Sequence, residues 1–168
     1  LVAYWCLYHA GAASWLSERN GNLFWAELLN AARNDAPAPT GGRWPRGHER
    51  RHFRGQQGIR AVEELQARYD GAPERMVRYI AGGEFNGARD YEVIADRAKE
   101  HRGFGDWISF KVCDMIDRLG IQKVEFSEAA VFMFDSPVRA AEILFRQEMK
   151  LSPEAKLKRD VVIPAVVS

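Results

Sequence analysis

The segment Arg102-Gly103-Phe104-Gly105-Asp106-Trp107-Ile108-Ser109-Phe110-Lys111 joins a polar helical pattern to an apolar one. Gly103 and Gly105 stand one residue apart at the junction, and glycine can take positive φ at no steric cost. We therefore predict a tight hairpin between two helices, the second of which runs to Leu119 with Asp106 as its N-terminal cap. The backbone N–H groups at the start of this second helix then point the same way.

A helix start of this kind is suited to binding an anion. Its first N–H groups lack partners in the helix, and the positive end of the helix dipole favours a phosphate. With the hairpin in front, that phosphate can belong to DNA, and we take Gly103, Gly105, Trp107 and Lys111 as candidate DNA-binding residues. A plain turn between two packed helices is the alternative that the pattern leaves open.

Apolar residues recur at helical spacing along most of the chain, and no strand-like alternation of useful length interrupts them. Leu1 to Leu16 predicts one buried helix, and Pro73 suits the first turn of a later one. Composition changes sharply at residues 35–42, whose Pro and Gly content predicts a loop. The fold class that we predict is all-α.

The loop leads into a basic segment, residues 43–54. It holds five arginines and two histidines against one acid, Glu49, and interleaves them with Trp44 and Phe53. Guanidinium groups bind phosphates through paired donors, and aromatic rings can stack on an unpaired base. The candidate phosphate or pyrophosphate ligands are Arg46, Arg50, Arg51, Arg54 and His52. The alternative is a solvated basic loop whose arginines pair with acids elsewhere.

Composition is that of an ordinary soluble globular protein. The chain has 168 residues, 46% of them apolar, so we predict one domain over 1–168 and allow for trimming at both ends. A net charge of +1 gives no overall nucleic-acid signature, so a DNA site has to come from the uneven placement of charge. Cys6 and Cys113 lie in apolar patterns without metal-ligand spacing, and we interpret both as buried thiols. No apolar run approaches a membrane span, so we expect a cytoplasmic protein without a membrane partner.

Gly103-Phe104-Gly105-Asp106-Trp107, followed by an apolar helix, resembles the hairpin of the helix-hairpin-helix DNA glycosylase superfamily. The resemblance implies a glycosylase-like helical bundle. Trp107 stands where the lyase-type members carry a catalytic lysine, so Schiff-base chemistry from that position is not expected. The superfamily places an essential carboxylate just after the second helix, which implies Glu125 or Glu128 in this chain.

Four segments together resemble the viral amino acid:DNA transferase family, also called the α-glutamyl/putrescinyl thymine pyrophosphorylases. They are residues 4–9, 43–55, 103–115 and 128–134. The resemblance implies an enzyme of bacterial viruses that replaces the pyrophosphate of 5-(pyrophosphoryloxymethyl)uracil in DNA with an amino acid or a polyamine. Its implied partners are double-stranded viral DNA and a small amine donor, in the cytoplasm of the infected host, and we expect a monomer.

Each motif then has an expected role. The arginines of residues 46–54 and His52 stabilise the leaving pyrophosphate, while the hairpin holds the DNA backbone. Glu125 or Glu128 deprotonates the attacking amine. The target base has to leave the DNA stack, and the side chains expected to hold it are Trp44, Phe53, Trp5, Tyr8 and His9. We predict no structural metal and no cofactor; a Mg²⁺ ion held loosely on the pyrophosphate stays open.

Two other functions stay open. In a DNA N-glycosylase, Glu125 would stabilise an oxocarbenium ion while the hairpin grips the backbone. In a non-catalytic DNA-binding module, Glu125 would have no role in binding. The products separate these cases, because a glycosylase releases a free base and leaves an abasic site, whereas the transferase leaves every glycosidic bond intact.

Overall fold

The described part of the chain, residues 1–82, 87–126 and 135–148 of this computed structural model, is mainly helical. Contacts along the chain divide it into two compact units, Leu1–Val124 and Glu125–Ser168. The first unit contains the whole of the hairpin and of the basic segment. A single domain over 1–168 stays a prediction.

Eight α-helices are described, and they confirm the all-α prediction. In chain order they are α1 (Val2–Leu7), α2 (Ala10–Ser17), α3 (Gly21–Arg33), α4 (Gly55–Tyr69), α5 (Pro73–Ala81), α6 (Tyr91–Lys99), α7 (Asp106–Arg118) and α8 (Asp135–Glu148). The basic segment carries a short 3₁₀ turn, His48–Arg50. Two three-residue strands, β1 (Ala88–Asp90) and β2 (Lys123–Glu125), pair into a sheet too short to show as alternation in the sequence. No helix in the described ranges is long and apolar enough to cross a membrane.

The core of the first unit lies between packed helices. α3 packs on α4, α6 packs on α7, and α1 contacts both α5 and α7. Large side chains at full burial come from these helices, among them Trp5, Trp25, Leu28, Leu65, Met76, Ile94 and Ile116. Cys6 and Cys113 are free and buried, as predicted, and burial raises the pKa of each thiol to about 12. Both are therefore uncharged thiols at neutral pH.

The predicted helix from Leu1 to Leu16 is in fact two helices. α1 ends at Leu7 because Tyr8 takes a left-handed conformation with a φ of 50°. The Leu7 carbonyl accepts a hydrogen bond from the Gly47 amide at 2.8 Å, so the basic segment passes directly across the break. Gly47 permits this approach, since a Cβ there would lie 2.6 Å from the Tyr8 carbonyl oxygen. The break after α1 is therefore accompanied by a contact with the basic segment, and the sequence of α1 alone does not reveal the break.

The turn between α6 and α7, residues 100–105, is the predicted hairpin. Gly103 has a positive φ of +80°, as expected. The backbone conformation at position 105 does not require glycine, since its φ is −84°. Gly105 is the N-cap of α7. Asp106, predicted as the cap, is instead the first helical residue, and it pairs with Lys99 at 3.0 Å. The likeness to helix-hairpin-helix glycosylases stays a prediction.

Arg50 ties the basic segment to both the hairpin and α1. It is only 5% exposed. Its Nε donates to the Cys6 carbonyl at 3.1 Å, and its Nη1 donates to the Gly103 carbonyl at 2.6 Å. The guanidinium also lies over the rings of Phe53 and Phe104, 4.4 and 5.1 Å from the ring centres. One side chain therefore fixes three segments that are far apart in sequence.

We predict that Arg50→Lys lowers the free energy of unfolding by about 2–4 kcal/mol. Lysine has a single compact ammonium group in place of the planar fork, and a hydrogen bond from a charged group contributes about 1.5–3 kcal/mol. Urea denaturation of the purified protein measures the change. The matched control is Arg51→Lys: Arg51 is exposed, so this variant should stay within about 0.5 kcal/mol of the wild type. Equal stabilities of the two variants would contradict the role assigned to Arg50.

Candidate active site

An open cleft of about 490 Å³ lies between the basic segment and the hairpin. Its walls come from two stretches of the chain, residues 49–57 and 102–108. The lining residues are Glu49, Arg50, His52, Phe53, Gln57, Arg102, Gly103, Gly105, Asp106, Trp107 and Ile108. Two motifs that are separate in the sequence therefore form one site.

The N-terminus of α7 opens into this cleft. No side chain caps it, so its first backbone N–H groups have no capping acceptor. A Cβ on the N-cap residue, Gly105, would meet no atom within 4 Å. Neither backbone strain nor crowding in the described structure requires glycine at this position. The missing side chain leaves the amides accessible to an anion.

Arg50 brings a buried positive charge to the same cleft. Burial lowers its pKa below the ordinary value, but a guanidinium stays protonated at neutral pH. Its hydrogen-bond acceptors are backbone carbonyls, and no carboxylate pairs with it among the described residues. Its Nη2 has no hydrogen-bond partner in the same ranges. A buried cation with an unused donor is costly unless an anion approaches it, so the cleft is suited to an anionic ligand.

Two carboxylates line the cleft, and their surroundings differ. Asp106 is paired with Lys99, at 3.0 Å. Glu49 is exposed and has no ion-pair partner in the part of the chain that the structure describes. Sequence reasoning missed Glu49 as a site residue, although a lone acid in a basic segment was a signal that could have identified it. It also missed Gln57 and Arg102, for which the sequence holds no comparable signal.

Arg46, a predicted pyrophosphate ligand, has its donors engaged within the protein, and its role in binding pyrophosphate stays a prediction. Its guanidinium donates to the carbonyls of Phe53 and Ala31, at 2.5 and 2.8 Å, and to Asn34 Oδ1 at 2.9 Å. The contacts with Ala31 and Asn34 lie at the C-terminal end of α3, where helix carbonyls lack partners in the helix. The contact with Phe53 lies within the basic segment. Arg46 is therefore a structural residue whose donors are occupied.

Arg51, His52 and Arg54 remain exposed, as a phosphate-binding role would require. Arg51 donates to Nε2 of His52 at 3.1 Å and to Nε2 of His48. Of these residues, His52 lines the cleft. Their roles as phosphate ligands stay predictions.

The predicted base-pocket residues differ in exposure, and their contact with an extruded base stays a prediction. Trp5, Trp44 and Phe53 are 0%, 3% and 4% exposed, so little of each ring is accessible, although Phe53 is one of the cleft residues. His9 is the N-cap of α2, where its Nδ1 accepts a hydrogen bond from the Ala12 amide at 3.2 Å. His9 is therefore a helix-capping residue.

Tyr8 and Trp107 are the predicted aromatic residues that remain partly exposed. Their rings meet edge to face, with centres 5.0 Å apart. Nζ of Lys111, which is also half-buried, lies 5.9 Å from the centre of the Trp107 ring. Because Trp107 lines the cleft, these three side chains form a surface beside it that a base or a DNA strand can contact. Their contact with DNA stays a prediction.

The two carboxylates predicted to be catalytic lie later in the chain. Glu125 is the last residue of β2 and is exposed. Glu128 lies outside the described residues. A catalytic role for either stays a prediction.

Comparison with known proteins identifies the family. The model of the family described as amino acid:DNA transferase matches residues 3–163, which include both stretches that form the cleft. A glycinyltransferase of Pseudomonas phage PaMx11 is 54% identical over 141 residues, which cover 84% of this chain and 47% of that relative. The chain thus spans about half the length of this relative. The chain belongs to the amino acid:DNA transferase family.

Proposed function

We propose that this protein transfers an amino acid onto a modified thymine in DNA, displacing pyrophosphate from 5-(pyrophosphoryloxymethyl)uracil. Membership of the amino acid:DNA transferase family supports the reaction class. The structural observation that carries the proposal is the cleft in which buried Arg50, with Nη2 unused, meets the uncapped start of α7. Both features favour a polyanion, and pyrophosphate is the polyanion of this reaction.

The chemistry needs stabilisation of the leaving group. The amine nitrogen bonds to the exocyclic carbon, the C–O bond breaks, and its electron pair leaves with pyrophosphate. Fixed donors aimed at that growing negative charge lower the barrier, and they act most strongly where water is excluded. In this proposal the guanidinium of Arg50, which lines the cleft, and the first amides of α7 are such donors, since the rest of the fold holds both in place.

In this proposal the basic segment and the hairpin therefore bind the same ligand. The sequence patterns assign the DNA backbone to the hairpin and the pyrophosphate to the arginines. Arg50 instead donates to the Gly103 carbonyl, and both residues line one cleft. We assign pyrophosphate to that cleft, and we assign the DNA backbone to the exposed cations Arg51, Arg54 and half-buried Lys111.

The donor that we propose is an amino acid, with glycine as the first candidate. The phage relative is named a glycinyltransferase, and it shares more than half of the aligned residues. A polyamine is the competing donor. The assay below distinguishes the two.

We predict that the protein converts DNA containing 5-(pyrophosphoryloxymethyl)uracil and isotopically labelled glycine into glycine-bearing DNA, with one pyrophosphate released per transfer. Digestion to nucleosides followed by mass spectrometry measures the product. DNA carrying 5-hydroxymethyluracil is the matched control and should give none, because hydroxide is a poor leaving group. Replacing glycine with putrescine in the same assay tests whether the protein transfers a polyamine.

Two outcomes would contradict the proposal. One is the absence of any adduct and of pyrophosphate release with every amine tested. The other is the appearance of free base and abasic sites, which would indicate an N-glycosylase.

We predict that Gly105→Ser weakens pyrophosphate binding without destabilising the fold. Serine at an N-cap accepts hydrogen bonds from the first amides of the helix, so its side chain would occupy the donors that the anion needs. Stability should rise by a few tenths of a kcal/mol. Affinity measured by calorimetry should fall about tenfold, the effect of losing about 1.5 kcal/mol from one charge-assisted hydrogen bond.

The control for this variant is Ala72→Ser. Ala72 is the N-cap of α5, which also lacks a side-chain cap, and it does not line the cleft. This variant should gain about 0.5–2 kcal/mol of stability and keep its affinity for pyrophosphate. Unchanged affinity in Gly105→Ser would show that the amides of α7 do not hold the anion.

A further inference from the structure

We propose that Glu49 is a catalytic residue, the carboxylate that holds the donor amine and takes its proton as the new C–N bond forms. This inference rests on the proposed function. It assigns the general base to the basic segment, in place of Glu125 or Glu128 after the hairpin.

The position of Glu49 supports this role. It lies in the 3₁₀ turn His48–Arg50, directly before Arg50 in the chain, and both residues line the cleft. Arg50 is buried, whereas Glu49 is exposed. One short turn thus presents a cation suited to the leaving group and a carboxylate that an incoming amine can reach from solvent.

Of the two carboxylates that line the cleft, Glu49 is the one without an ion-pair partner among the described residues. The other acid there, Asp106, is paired with Lys99 at 3.0 Å. The basic neighbours of Glu49 are engaged elsewhere, since Arg46 donates to the end of α3 and Arg51 donates to two histidines. Within the described ranges Glu49 therefore has no ion-pair partner, and it lies beside the site proposed for an anion. An ammonium group that enters the cleft from solvent can pair with it.

The aromatic surface beside the cleft fits the same ligand. Tyr8 lies beside the segment that carries Glu49, since a Cβ on Gly47 would lie 2.6 Å from the Tyr8 carbonyl oxygen. The pKa of Tyr8 is raised, chiefly by burial and then by the nearby Tyr4 and the negative charge of Glu49. Tyr8 packs edge to face on Trp107, which lines the cleft. Aromatic faces attract cations, and the Trp107 face already has Nζ of Lys111 at 5.9 Å from its centre. The carboxylate of Glu49 is therefore the partner that this side of the cleft offers a second cation, the donor ammonium.

The proton balance defines the step. The donor arrives as an ammonium ion and loses one proton to solvent, because only a free lone pair can attack. As nitrogen bonds to the exocyclic carbon, the C–O electron pair leaves with pyrophosphate and the nitrogen becomes positively charged. Glu49 accepts one proton from that nitrogen, which leaves a neutral secondary amine, and then releases the proton to water.

The test compares steady-state transfer by the wild type, Glu49→Gln and Glu49→Asp. Loss of a general base lowers rates by about 10²–10⁴-fold, so Glu49→Gln should lose at least about 10²-fold in kcat/KM for glycine, and Glu49→Asp should recover part of that loss. Glu63→Gln is the matched control, because Glu63 is an exposed acid on α4 outside the cleft, and it should behave as the wild type. Calorimetry should give Glu49→Gln the same pyrophosphate affinity as the wild type, or a higher one.

A second donor separates proton transfer from a structural effect. Hydroxylamine is largely uncharged at neutral pH, and after attack its nitrogen is more acidic than that of an alkylated amino acid and loses its proton to water readily. With it the gap between Glu49→Gln and the wild type should therefore shrink. If the wild type and Glu49→Gln transfer glycine equally well, the role of Glu49 is overturned, but the proposed transferase function is not. An equal loss with both amines, together with weaker pyrophosphate binding, would also overturn it. A wild type that transfers no amine would overturn the proposed function itself.

Discussion

The guanidinium of Arg50 is the interaction on which the candidate site depends. It joins the end of α1 to the hairpin by donating to the carbonyls of Cys6 and Gly103, and it stacks over two phenylalanine rings. These partners orient the charge but do not neutralise it, since carbonyls and rings carry no net charge. Burying an uncompensated cation is unfavourable, and the rest of the fold has to offset that cost. An anionic ligand in the cleft would supply the missing charge, so the cost of burying Arg50 and the affinity for an anion have one physical origin.

This arrangement also explains why the basic segment and the hairpin act together. Gly47 crosses the break after α1, Arg50 reaches the Gly103 carbonyl, and Gly105 leaves the start of α7 uncapped. The result is a cleft with a buried cation and free amides on its inner side and with Glu49 at its exposed side. A substitution reaction with a polyanionic leaving group and an amine nucleophile needs this separation of opposite charges within one site.

Local patterns predicted the helical fold, the hairpin and the positive φ of Gly103, because helical periodicity and glycine chemistry depend on near neighbours in the chain. Pro73 at the start of α5 followed from the same kind of rule. The contacts that define the site join residues far apart in sequence, and composition does not encode them. Arg46 and Arg50 lie in the same basic run, yet one satisfies the end of α3 and the other holds the hairpin. Trp44 and Phe53 are aromatic residues among arginines, a pattern typical of base stacking, but tertiary packing buries both.

The most direct test is a crystal structure of the protein with methylenediphosphonate, a pyrophosphate analogue that resists hydrolysis. We expect one phosphonate group against the Arg50 guanidinium and another at the amides of Trp107 and Ile108. Binding of the analogue to the exposed Arg51 and Arg54, with no contact to Arg50, would contradict the central claim.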